Sequence, residues 1–159
     1  MTTRNVLVFG LISFFLYACK KSDNGCTTVA GSPTATEVTN LRNYLTGKSI
    51  TATEDPRGFF YNIVFPGTGS GNPTLSDSVT IKYRGTLTDG SVFDSTANGE
   101  TRKFLLSDLI TGWQLGLPLL KKSGIIDLYL PPAHGFGCYS QGKLPANATT
   151  IFRIELQDF

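Results

Sequence analysis

The segment Val79-Thr-Ile-Lys-Tyr83-Arg84-Gly85-Thr-Leu-Thr-Asp89-Gly90-Ser-Val-Phe93-Asp94-Ser95 reads as a strand over Ser78 to Leu87, an Asp-Gly turn, and a second strand over Ser91 to Ser95. Working outward, Gly58-Phe-Phe-Tyr-Asn-Ile-Val-Phe65 is rich in aromatic and β-branched residues and predicts another strand. Pro66 to Pro73, with three glycines, breaks it. These glycines lack both GxGxxG spacing and a Lys-Ser/Thr ending, so they read as a turn and not as a phosphate loop. Further strands are expected at Arg102 to Leu106, Gly124 to Leu130 and Thr149 to Gln157. Leu109 to Leu120 has the length of one short helix. The expected fold class is α+β: an antiparallel, strongly twisted sheet wrapped around that central helix. No internal repeat is visible.

Ahead of the strands, Thr34-Ala-Thr-Glu37 has capping-box spacing, and Val38, Leu41 and Leu45 fall on one side of a helix that runs to about Thr46 and stops at Gly47. Residues 34–57 therefore form an N-terminal helix and a connecting segment, and residues 58–159 the main domain. Residues 19–33 are polar and turn-rich and read as a flexible tether. Residues 1–18 carry Arg4 and then an uncharged apolar run from Val6 to Ala18. At roughly 13 residues this run is short of the ~20 that a spanning helix needs, and its layout is that of an export signal. Leu16-Tyr17-Ala18-Cys19 resembles a bacterial lipobox, which marks Cys19 for lipidation and implies an exported chain held in the cell envelope, with Lys20 pointing to the outer membrane.

Composition narrows the classes. The chain has 159 residues, 40% hydrophobic and 16% charged, and a formal charge of +2, which suits one compact domain and leaves no basic footprint for nucleic acid. Removal of Arg4 with residues 1–18 brings the charge to 13 − 12 = +1. With Cys19 lipidated, Cys26 and Cys138 stand either as a disulfide in an oxidising compartment or as two separate thiols. No Cys–His spacing suggests zinc. His134, the one histidine in the chain, reads as an exposed loop residue. No Gly-x-Ser-x-Gly elbow supports serine hydrolysis.

Four motifs in order carry a family resemblance. Tyr83-x-Gly85-x-Leu87-x-Asp89-Gly90-x-x-Phe93-Asp94-Ser95 resembles the signature of FKBP-type peptidyl-prolyl isomerases. Leu109-Ile110-x-Gly112-Trp113 resembles that family's Val-Ile-x-Gly-Trp helix start. Leu128-Tyr-Leu-Pro-Pro-Ala-His-Gly-Phe136-Gly137 resembles its Pro-Pro-x-x-Ala-Tyr-Gly turn, and Pro145-x-Asn147-Ala148 with Phe152 completes the set. The resemblance covers about Gly58 to Phe159. It implies acceleration of X-Pro isomerisation in polypeptide clients, without a cofactor or metal. It also implies a proline pocket with Trp113 as floor, Tyr83, Phe93, Leu109 and Phe152 as walls, Phe136 and Leu144 at the rim, and the Ile110 N–H holding a substrate carbonyl. Asp94 becomes the buried-edge carboxylate, acting electrostatically and not as a base.

Some residues depart from the family pattern. Arg102 stands where a pocket Phe is usual, Lys143 precedes Leu144, Phe136 replaces Tyr, and no Arg lies between Phe93 and Glu100 to pair with Asp94. The rim is more cationic, so weaker binding of the family's macrolide inhibitors is expected. The alternative to an isomerase is a peptide-binding chaperone module that keeps the pocket with little turnover.

Overall fold

The computed structural model describes residues 31–97 and 99–159. The expected export signal, most of the expected tether, Cys19 and Cys26 lie outside the described residues. Helix α1 spans Ala35–Gly47, and the strands are β1 Thr53–Glu54, β2 Phe60–Phe65, β3 Ser78–Leu87, β4 Val92–Ser95, β5 Arg102–Leu105, β6 Ile125–Leu130 and β7 Thr150–Asp158. A second helix, α2, spans Thr111–Gly116. All strand pairs are antiparallel, in the order β1-β2-β6-β7-β3-β4, with β5 also paired to β3.

Period-two alternation decides which side chains enter the core. In β3, Val79, Ile81 and Tyr83 are buried, and in β7 the same holds for Phe152, Ile154 and Leu156. These residues meet Leu128 and Leu130 of β6 and Trp113 and Leu117 from the helical segment in one cluster on the inner face of the sheet. The helix sits close because Gly112 has no side chain: a Cβ there would run into the side chain of Leu130. The single helix expected over Leu109 to Leu120 is in fact α2 followed by a 3-10 turn at Leu117–Leu119. Pro118 causes the change, since it has no N–H to continue an α-helical ladder.

On the outer face, α1 starts at a complete capping box. Thr34 Oγ1 accepts from the Glu37 N–H at 3.2 Å, and the Thr34 N–H donates to Glu37 Oε2 at 2.7 Å. Leu41 and Leu45 are buried against Phe60 of β2 and Tyr129 of β6, with Val38, Tyr44 and Ile151 at the edge. The other oxygen of Glu37, Oε1, accepts from the Ala133 N–H at 3.2 Å, tying the helix to the turn after β6.

The same turn corrects the expectation for His134. The ring is 4% exposed, its Nε2 lies 2.7 Å from the Arg57 carbonyl oxygen, and it meets Phe59 edge-on at 6.2 Å. The 55–59 segment folds over it: Asp55 accepts from the Arg57 backbone N–H at 2.9 Å and from its guanidinium at 2.7 and 2.8 Å. Those bonds hold the Asp55 carboxyl below its ordinary range. Strand β1, two exposed residues paired with Phe60 and Tyr61, was not expected from the sequence. Cys138 is disulfide-bonded. Cys26, the partner in one of the two alternatives left open for it, lies outside the described residues.

Candidate functional site

The inner cluster does not fill completely. Between α2 and the β3–β4–β5 end of the sheet lies a hollow of about 270 Å³, with Trp113, Tyr83, Phe152 and Phe136 among its lining residues. Aromatic rings meeting edge-on build it. Tyr83 packs on Trp113 at 5.0 Å and 72°, and Trp113 on Phe152 at 5.1 Å and 89°. Phe93 then meets Phe152 at 5.6 Å and 80° and Phe136 at 5.9 Å and 87°. Such tilted contacts suit the ring quadrupoles and leave space between planes. Gly85 makes the crossing feasible, because a Cβ there would lie 2.8 Å from both the Phe152 and Phe93 rings.

Leu109 and Ile110 line the hollow where the chain enters α2. Ile110 is the N-cap residue of that helix, with φ −59° and ψ 149°. Its N–H makes no hydrogen bond among the described residues, as expected for a donor ahead of the first helical turn. Phe104, two residues beyond Arg102 on β5, adds a further wall, and Asp108 sits at the mouth. Neither was singled out from sequence as a site residue. The alternation Arg102, Phe104 on one strand was the available signal for the first, and nothing in the pattern marked Asp108.

Asp94 lines the hollow from β4 but is exposed, not at a buried edge. Its four-residue strand has a strand neighbour on one side alone, β3. Asp94 Oδ2 accepts from the Tyr83 hydroxyl at 2.6 Å. Arg102 NH1 donates to the same hydroxyl oxygen at 3.3 Å, so an arginine from β5 reaches the pair although none lies between Phe93 and Glu100. Burial first, then the Asp94 hydrogen bond and charge, push the Tyr83 phenol up to about 12. It is therefore a neutral donor throughout the ordinary pH range. Phe93 is half-buried behind the lining rings. Leu144 is 5% exposed in the 141–144 turn, away from the hollow's lining. Larger depressions beside α1 and over the outer faces of β3 and β7 have linings of mixed polar and apolar character. Among the described residues, no group of three or more His, Cys, Asp or Glu side chains is placed to hold a metal.

Residues 69–157, more than half of the chain, match the model of the FKBP-type peptidyl-prolyl cis-trans isomerases. The chain belongs to this family. The FKBP-type peptidyl-prolyl cis-trans isomerase FkpA of Escherichia coli (strain K12) is 40% identical over 102 residues, 64% of this chain and 37% of that one. The outer membrane protein MIP of Legionella longbeachae is 40% identical over 103 residues, 64% of this chain and 44% of its own length. Thus this FKBP-type chain spans about two-fifths of the length of the curated relatives it matches. The crystal structure of FkpA from Escherichia coli superposes with a TM-score of 0.69 at 34% identity, covering 78% of this chain and 59% of that one. A peptidyl-prolyl cis-trans isomerase structure from Pseudomonas syringae gives a TM-score of 0.65 at 26% identity, covering 81% and 97%.

Proposed function

We propose that this protein is a peptidyl-prolyl cis-trans isomerase, a rotamase that accelerates X-Pro rotation in polypeptides of the cell envelope. One observation carries the reading: a hollow of about 270 Å³ walled by aromatic rings, with a backbone N–H from Ile110 free at its side. The barrier to peptide rotation is about 18–20 kcal/mol, and an X-Pro bond takes roughly 10–100 s unaided. Reaching milliseconds demands about 10⁴-fold, or ~5.5 kcal/mol. A single neutral hydrogen bond contributes about 0.5–1.5 kcal/mol, so the Ile110 N–H supplies a minor part. The larger part comes from stripping water off the carbonyl of the residue before the proline. Water stabilises the planar, charge-separated amide, whereas the twisted transition state has lost that resonance and favours an apolar surround.

In this scheme the proline ring rests on Trp113 between Tyr83 and Phe152, with Leu109 beside it and Phe136, backed by Phe93, closing the far wall. Asp94, with its Tyr83 bond, acts through its field and transfers no proton. Residues 58–159 form the isomerase domain. The lipobox-like ending at Cys19 and the outer membrane protein among the relatives support an exported lipoprotein anchored in the envelope, on the outer membrane. Among the described residues no helix is long and apolar enough to cross a membrane.

A second reading, a chaperone module with little turnover, draws on Ile63, Val64 and Phe65, three consecutive apolar residues exposed by 37–48% at the end of β2. A prolyl-peptide isomerisation assay on the full chain separates the two. Wild type exceeding a Trp113→Ala, Phe93→Ala double variant by 100-fold or more supports the enzyme. Equal rates reject it, and peptide binding without acceleration supports the module.

A further inference from the structure

Three of the described arginines meet a carboxylate: Arg42 with Glu54, Arg57 with Asp55 and Arg153 with Asp127, all at 2.6–2.7 Å. Arg102 meets none among the described residues. Its register explains where it points. In the β3–β5 pairing Arg102 lies opposite Ile81 and Phe104 opposite Val79, and both of those partners are buried in the inner cluster. Directly paired residues share a face of the sheet. Both β5 side chains therefore turn toward the hollow, and both line it. A guanidinium thus stands in an otherwise largely apolar wall. Its one hydrogen bond is the 3.3 Å contact to a phenol oxygen whose own proton is given to Asp94.

We propose that Arg102 is a specificity-determining residue that selects clients carrying Asp or Glu next to the proline. The inference rests on the isomerase reading and deepens it. An arginine fork has five N–H donors in a plane matched to a carboxylate, and it is less strongly hydrated than an ammonium. One donor is occupied here. The exposed side chain lines a mouth whose other charged residues are Asp94 and Asp108. The preference is therefore positional, because the mouth as a whole carries one cation and two anions. Take the cation away and two carboxylates remain to repel an acidic client, so the loss of attraction and the gain of repulsion add.

The test uses the full chain and paired peptides with Glu or Gln on either side of the proline, which differ in charge at nearly constant size. For Arg102→Gln the ratio of Glu-peptide to Gln-peptide kcat/KM falls about tenfold from the wild-type ratio, the scale of a charge-assisted hydrogen bond. Arg102→Lys keeps the ratio within threefold of wild type. The wild-type ratio shrinks as salt rises from about 0.02 to 0.5 M, because the paired charges are near the surface. Identical ratios in wild type and Arg102→Gln at both flanking positions overturn the proposal, whatever the absolute rates. A wild-type chain that accelerates no peptide overturns the isomerase reading instead. Fluorescence of Trp113, the one tryptophan, then reads the same ratio as dissociation constants and decides the role of Arg102 without turnover. Absence of binding to either peptide sinks both.

Discussion

On the outer face of the sheet, Leu41 and Leu45 of α1 close directly on Phe60 and Tyr129. On the inner face five aromatic side chains meet edge to face at 5.0–5.9 Å, and a hollow remains between them. The two faces share a sheet, and the inner cluster is much the larger of the two. They differ in the shape of what packs. Flexible aliphatic chains mould themselves to near-crystalline density, whereas rigid rings at steep mutual angles prop one another apart. A binding cavity here is a consequence of stiffness as much as of apolarity.

The contrast is broken most severely by Trp113→Ala. Isomerisation kcat/KM is expected to fall 100-fold or more, with a stability loss of about 3–5 kcal/mol in urea unfolding. Leu41→Ala sharpens it from the other side. Stability drops by about 2–4 kcal/mol through the cavity left under α1, while turnover by the folded fraction at low temperature stays within twofold of wild type.

Tyr83→Phe tests the hydroxyl linking Asp94 and Arg102. Loss of that link is expected to cost about 1 kcal/mol and to lower kcat/KM several-fold. In wild type the Tyr83 phenol is raised to about 12, so its stabilisation is fully present below the ordinary tyrosine value of 10.0 and is lost as pH rises from there toward 12. Melting curves across that window, compared with those of the Phe variant, check it.

The smallest effect is at Asp55. The Arg57 bonds lower its pKa, so their contribution is present above its ordinary value of 3.8 and disappears as pH falls through the lowered one. Asp55→Asn is expected to cost about 1 kcal/mol near neutrality, and the loss shrinks toward zero in acid. Amide exchange in the 53–59 segment would report it locally.

Much of this arrangement was legible in the residues, and what was not shares a cause. Alternation and turn chemistry marked β3 through β7 within two residues of their ends, because those patterns are local. The capping box marked α1 for the same reason. Strand β1 was invisible, since two exposed residues carry no period and become a strand through β2 alone. His134 was misjudged because the carbonyl that meets it is 77 residues earlier. The hollow's aromatic members came from motif order, not from pattern, while Asp108 and the reach of Arg102 to Tyr83 depend on how separate elements face one another.

Glu37 sits where the two faces of the molecule communicate. One oxygen of its carboxylate secures the start of α1, and the other grips Ala133, three residues before Phe136 in the wall of the hollow. Removing that one carboxylate would unlatch the helix start and the turn together, leaving Leu41 and Leu45 to hold α1 on the sheet.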